Sequence, residues 1–281
     1  MPIRAIINAD DFGWSAGVTD GILQAHRQGV LTSTTLAANM PDAARAAELA
    51  RALPTLGVGV HLNACQGRPL TEQAAEALAD SDGVMRLTGP DVIARCIRRR
   101  GTVAAVLAEF EAQIRRVGEL GIRPTHLDSH RHVHAWRPVA AGVARLARQF
   151  GIPHLRRPVE QLPGRWPAAP AKQVRTAALL RMMGWLVPGA ARVLQPTRGT
   201  WGIRHTGCID AAWLILAAER LSEGLMEIMV HPGFAEDLDL GQTRLVASRR
   251  LELEALCDPA VRQAFSRREN VELVHYGQLG S

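Results

Sequence analysis

Asp10 and Asp11 stand side by side after a short apolar run, Ile3 to Ala9, and before Phe12-Gly13. His61 ends a second apolar run, Gly57-Val58-Gly59-Val60. Between Thr125 and His134 the residues His126, Asp128, His130, His132 and His134 fall at every second position. In an extended chain that spacing places all five on one face. Arg156 and His231 stand alone, the latter before Pro232-Gly233. Imidazole is a common metal ligand, and a carboxylate often orients it from behind. The set offers one carboxylate and two imidazoles for a metal, with a carboxylate and an imidazole to spare, although spacing does not say which histidine binds. Mixed O,N,N ligation suits Zn²⁺ or another divalent first-row ion, and Mg²⁺ less comfortably. Such an ion lowers the pKa of water and polarises a carbonyl. The spare carboxylate can take a proton and the spare imidazole can return one. Arg156 can pair with a carboxylate and hold it ionised. This is equipment for hydrolysing an amide or an ester. Singly each residue has a plainer reading: a helix cap for Asp10-Asp11, a hydrogen-bonded structural ring for His61, a turn for His231.

The elements that must position these groups alternate. Strands are expected at 3–9, 31–38, 57–62, 125–130, 151–156, 200–203, 225–231 and 271–276. Helices are expected at 15–28, 41–53, 91–120, 137–150, 174–186, 211–221 and 245–257. Repeated βα alternation argues a parallel sheet covered by helices. Eight such units in a chain of 281 residues fit an irregular or incomplete TIM-like (β/α) barrel, read as a single domain spanning 1–281. The polar residues above then share one location, the carboxyl ends of the strands, where such barrels build their active sites.

Composition narrows the partners. Lys and Arg total 33 against 27 Asp and Glu, for a net charge of +6, yet Lys172 is the single lysine. The arginines are scattered and aromatics make up only 4%, which disfavours nucleic acid. Cysteines 65, 96, 208 and 257 form no C-x-x-C pair and fit a reducing compartment. The first nine residues do not read as a signal peptide, and no apolar stretch is long enough to span a bilayer. A cytoplasmic protein is expected, with the inner membrane surface as a peripheral option and a homodimer allowed.

Five blocks carry a family resemblance. They are Asn8-Ala9-Asp10-Asp11-Phe12-Gly13, Thr32-Ser33-Thr34-Thr35, Gly59-Val60-His61-Leu62, the run Thr125 to His134, and His231-Pro232-Gly233. In this order they resemble the YdjC/ChbG carbohydrate deacetylases. The resemblance implies a (β/α) barrel that removes an acetyl group from an N-acetylated sugar with one divalent metal ion, Zn or Mg first, then Co, Ni or Mn. It implies Asp11, His61 and His130 as metal ligands and Asp10 as general base. It further implies that His231 protonates the leaving amine and that Arg156 tunes Asp10. His126, Asp128, His132 and His134 would support the ligands or face the substrate. Arg131 and the run Leu62-Asn63-Ala64-Cys65 depart from the family pattern beside the expected sugar site.

Residues 158–200 are rich in proline and unlike the chitooligosaccharide members, and they are expected to shape substrate choice. The hopanoid-associated HpnK-like branch of the family points to a glycolipid as the alternative to a soluble N-acetylglucosamine oligosaccharide. Arg175 to Leu194 mixes apolar residues with arginines; a buried barrel helix is the first expectation there, a membrane-facing segment the second. Rival functions are a phosphoesterase or amidohydrolase on the same barrel, or a non-catalytic sugar- or lipid-binding module.

Overall fold

The computed structural model describes residues 2–238, 243, 245–268 and 270–280. The chain begins with β1 (Ile3–Phe12), α1 (Ala16–Gln28), β2 (Ser33–Leu36), α2 (Ala43–Arg51) and β3 (Gly57–Leu62). A side excursion follows, with β4 (Gln66–Gly67), α3 (Glu72–Leu78) and β5 (Met85–Arg86), then α4 (Gly89–Arg98) and α5 (Thr102–Glu119). β6 (His126–Ser129) runs into a 3-10 turn, His130–Ala135, before α6 (Arg137–Gln149) and β7 (His154–Leu155). Then come α7 (Ala171–Trp185), α8 (Gly189–Arg192), β8 (Thr200–Trp201), α9 (Ala211–Arg220) and β9 (Gly224–Val230). α10 (Ala247–Cys257), α11 (Pro259–Ser266) and β10 (Val271–Leu273) complete the order.

Eight of these strands make one parallel sheet in the order β7-β6-β3-β2-β1-β9-β8, with β10 laid against the first residues of β1. β1 is the spine: it pairs β9 along Ile3 to Ala9, β10 at Ile3 to Ala5 and β2 from Asn8 onward. Strands covered on both faces need no polar alternation, and every residue of β3, Gly-Val-Gly-Val-His-Leu, is buried. Gly59 earns its place by close approach, since a Cβ there would lie 2.5 Å from the His126 ring. α1 packs Val18, Ile22, Leu23 and Ala25 inward at helical spacing, and its first turn is capped by Ser15, whose Oγ accepts from the Val18 N–H at 3.2 Å. Such a cap contributes about 1 kcal/mol.

The sheet curls into the expected barrel without closing it. β7 and β8 are its two edges. Residues 157–160 bridge them: the Thr200 N–H donates to the Val159 carbonyl at 3.0 Å and the Thr200 hydroxyl to the Arg157 carbonyl at 2.8 Å. The amino ends of the strands are plugged by the C-terminal segment, where Tyr276 stacks on His126 at 3.9 Å among Ile6, Leu225, Val274 and Leu279. Several elements are shorter than expected. The long helix expected over 91–120 is two, because Gly101 takes φ 87, a left-handed conformation that ends one helix and starts the next. The last strand stops at Leu273, and Tyr276 begins a 3-10 turn.

Candidate active site

β1 delivers both acids to the same place by breaking its own regularity. Its register against β2 shifts between Ala9 and Phe12, and Asp11 adopts φ 69. Asp tolerates the left-handed region better than most residues, and a bulge re-aims a side chain at a strand end. Asp10 therefore points into the barrel, and Asp11, which an even strand would send the other way, turns to the mouth.

Asp11 Oδ1 lies 3.2 Å from His130 Nδ1 and 3.4 Å from His61 Nε2, and the two ring nitrogens are 3.4 Å apart. Adjacent ligands of a divalent ion with bonds of about 2.0–2.2 Å stand roughly 3–3.5 Å from each other, so this triangle has the dimensions of a metal site. The supporting contacts agree. His61 Nδ1 is 2.8 Å from Asp128 Oδ1, which fixes the ring and leaves Nε2 facing Asp11. The Thr35 hydroxyl holds the other oxygen of Asp128 at 3.1 Å. Backing a metal-binding imidazole with a carboxylate is the usual arrangement. Burial opposes charge on His61, but Asp128 and Asp11 outweigh it and push the ring up to about 10. Asp11 is also buried, yet the guanidinium of Arg249, 2.5 Å from its Oδ2, holds the carboxyl well below the usual range. Burial lowers the pKa of His130, whose ring lies 4.8 Å from that of Trp14.

Below this triangle the barrel interior is charged. Arg156 is wholly buried and meets three carboxylates from three different strands. Its NH1 and NH2 grip Asp10 at 2.8 and 2.6 Å, its NH1 lies 2.8 Å from Asp128 Oδ2, and its Nε donates to Glu227 at 2.9 Å. Burial works against the Asp10 anion, but Arg156 prevails and keeps the carboxyl below its ordinary pKa. Asp10, His61 and Asp128 also cluster closely enough to hold a cation, but Arg156 already occupies both carboxylates. His231 Nε2 stands 4.0 Å from Asp10 Oδ2, and burial pushes the ring down to about 4, so it rests neutral.

All six residues named from the sequence thus converge. The extended face proposed for the histidine run does not survive past Ser129. His126 and Asp128 lie inside the barrel, but the chain then enters the 3-10 turn, with Arg131 and His132 left-handed at φ 54 and 55. His134 turns away to Ser129 Oγ at 2.6 Å and the Arg156 carbonyl at 3.3 Å. His130 reaches the triangle from the first position of that turn. Sequence reasoning missed Arg249, Glu252 and Glu227. Glu252 accepts the His231 N–H at 2.5 Å, and burial pushes its carboxyl up to about 7. A signal existed: Arg249, Glu252, Leu253 and Leu256 share one face of α10 at spacings i, i+3, i+4 and i+7, and charge on an apolar stripe marks a buried partner.

The described residues contain no helix long and apolar enough to cross a membrane. Relatives match along nearly the whole chain. A carbohydrate deacetylase of Geobacillus stearothermophilus is 34% identical over 281 residues, covering 99% of both chains. A chitooligosaccharide deacetylase of Salmonella paratyphi B is 30% identical over 270 residues, 94% of each chain. A crystal structure from Enterococcus faecalis V583, provisionally named a cellobiose-phosphate cleavage protein, superposes with a TM-score of 0.77 at 27% identity and covers 100% of both chains. The family model described as YdjC-like protein matches residues 4–267, and the chain belongs to that family.

Proposed function

We propose that this protein is a carbohydrate deacetylase that hydrolyses the acetamide of an N-acetylated sugar with one divalent metal ion. The observation that carries the reading is the triangle of Asp11 Oδ1, His61 Nε2 and His130 Nδ1, each atom within 3.4 Å of the others, beside an Arg-clamped carboxylate and a neutral histidine. The names of the relatives support the acetylated carbohydrate as substrate.

Asp11, His61 and His130 would hold the ion. Once bound, it polarises the acetyl carbonyl and makes a water molecule acidic enough to attack at neutral pH. The protein's own groups manage the protons. Asp10 is fixed in place by the paired guanidinium contacts and stays ionised, so it is ready to accept a proton from the attacking water. His231 begins neutral and can serve as an acid only after receiving a proton. Asp10 Oδ2 stands 4.0 Å from its Nε2, beyond direct hydrogen-bond reach, so one bridging water would carry the proton between them. Water oxygen bonds to the acetyl carbon, the carbon–nitrogen bond breaks, and His231 Nε2 gives its proton to the departing sugar amine. Glu252 anchors the His231 backbone and Arg249 holds Asp11, so both catalytic edges are pinned by α10. A two-metal phosphoesterase is disfavoured, because Arg156 fills the second acidic cluster.

The test offers metal-free and metal-restored protein N,N′-diacetylchitobiose and, separately, an aryl phosphate. Acetate released only after metal restoration supports the reading. Phosphate release with no acetate from the sugar would overturn it.

A further inference from the structure

Residues 161–209 contain no Asp or Glu, but six Arg and one Lys. α7 lies within this stretch, and it is not the buried barrel helix that its composition first suggests. Only Ala177 and Leu180 of its fifteen residues are buried. These two pack with Ala135, Ile203 and Met229, Ala135 being the last residue of the turn that starts with His130, so the helix sits beside the mouth of the barrel. Its outer side carries Leu179, Met182 and Trp185, which are 42, 51 and 73% exposed, and Leu186 and Val193, in the residues that follow, are 59 and 81% exposed. At about 100° per residue, Ala178, Leu179, Met182, Trp185 and Leu186 form one stripe. Arg175 extends that stripe, and Lys172 and Arg181 flank it on opposite sides. Arg181 also lines an open groove of about 440 Å³ with Arg198 and Arg204, in which Glu160 is the one carboxylate.

We propose that the α7–α8 face docks this protein on an anionic lipid bilayer, with Trp185, Leu186 and Val193 entering the interface and the surrounding cations meeting lipid headgroups. α7 packs one apolar side on the barrel and leaves a second, bulky and apolar, facing out among cations; such a side suits the interface plane of a bilayer, and the helix's length and hydropathy rule out spanning it. Charge decides against the other obvious occupant. A second copy laid symmetrically on this face would set its cations against their own images, with no acid in the segment to neutralise them. An anionic surface neutralises them all at once. The proposal does not depend on the chemistry at Asp11, His61 and His130, but it would present the mouth of the barrel to molecules held in the membrane.

The experiment is co-sedimentation of the full chain with vesicles of pure phosphatidylcholine or of phosphatidylcholine with phosphatidylglycerol. The wild type is expected to partition to the anionic vesicles, weakly or not at all to the neutral ones, and less as salt rises. Arg175→Gln with Arg181→Gln should weaken partition by about 30-fold, from two lost headgroup contacts. Trp185→Ser with Val193→Ser should also lose partition, while both variants keep the wild-type melting temperature. The tryptophan emission should shift to the blue with anionic vesicles in the wild type and not in the variant that lacks Trp185. Absence of wild-type partition, or partition unchanged in both variants, would overturn the proposal. So would a wild-type dimer that becomes monomeric in the serine variant without any vesicle binding, because a second copy would then be the occupant.

Discussion

Replacing Arg156 with Met tests the charged interior most severely. The guanidinium is wholly buried and meets Asp10, Asp128 and Glu227 within 2.6–2.9 Å. Methionine keeps part of the volume and removes all of the charge, leaving three carboxylates facing one another across the barrel. Deleting one partner of a buried pair costs about 3–5 kcal/mol, and the upper end applies where three partners share one cation. The pH dependence identifies the cause. In the wild type, Arg156 helps hold Asp10 and Asp128 below their ordinary values despite burial. Groups depressed in the folded state contribute stability that is present above about pH 4 and lost as pH falls through the folded pKa. The variant lacks that contribution, so its deficit should be largest near neutral pH and shrink toward acid. In activity, freeing Asp10 of its cation should move the acid limb of the kcat profile upward by about 1–3 pH units. Urea unfolding at several pH values and acetate release across the same range provide the two readouts, with Arg156→Lys retaining charge but not the paired grip. A deficit under 1 kcal/mol that does not vary with pH, together with an unmoved acid limb, would refute the reasoning.

Three further outcomes follow from the same geometry. Asp11→Ala and His130→Ala should each drop bound metal below one equivalent after dialysis, measured by elemental analysis, whereas Asp10→Asn should keep the metal and lose about 10²–10⁴ in kcat; metal lost from Asp10→Asn alone would reverse the assignment. His231→Gln should spare an acetate ester with a good leaving group while abolishing amide hydrolysis, because only the amine needs a proton. Equal loss on both substrates would remove its role as acid. Metal uptake should tighten with pH, because His61 holds a proton up to about 10 in the metal-free protein and must release it to bind. The sign is that of a raised group: its stabilisation is complete below about 6.5 and fades as pH climbs through about 10. Chelator competition should therefore show affinity rising about tenfold per unit between pH 7 and 9, and a flat dependence would contradict the placement of His61.

Much of the site was legible in the sequence because its polar residues close apolar strands. Asp10, His61 and His231 each interrupt an apolar run, and in a parallel sheet those interruptions fall on one face. Pairing Asp11 with Asp10 at one mouth required a bulge, which side-chain type hints at but periodicity does not reveal. The histidine run misled for a related reason: alternation predicts a shared face only while the chain stays extended, and the strand ends one residue before His130. The strands at β7 and β8 were legible, but the open seam between them was not, because each is only two residues long and nothing in its spacing shows which neighbour it lacks. Likewise α7 looked like a core helix by composition, although only contact with the neighbouring turn decides which of its sides is covered.

Asp11, His61 and His130 would link one metal ion to one acetamide hydrolysis. The most direct measurement of that link is a titration: acetate release from N,N′-diacetylchitobiose as zinc is added to metal-free protein, with Asp11→Ala alongside. Activity that rises to a break at one equivalent per chain, and stays absent in the variant, is the predicted result. Full activity in the metal-free protein, or a break only at two equivalents, would contradict the account.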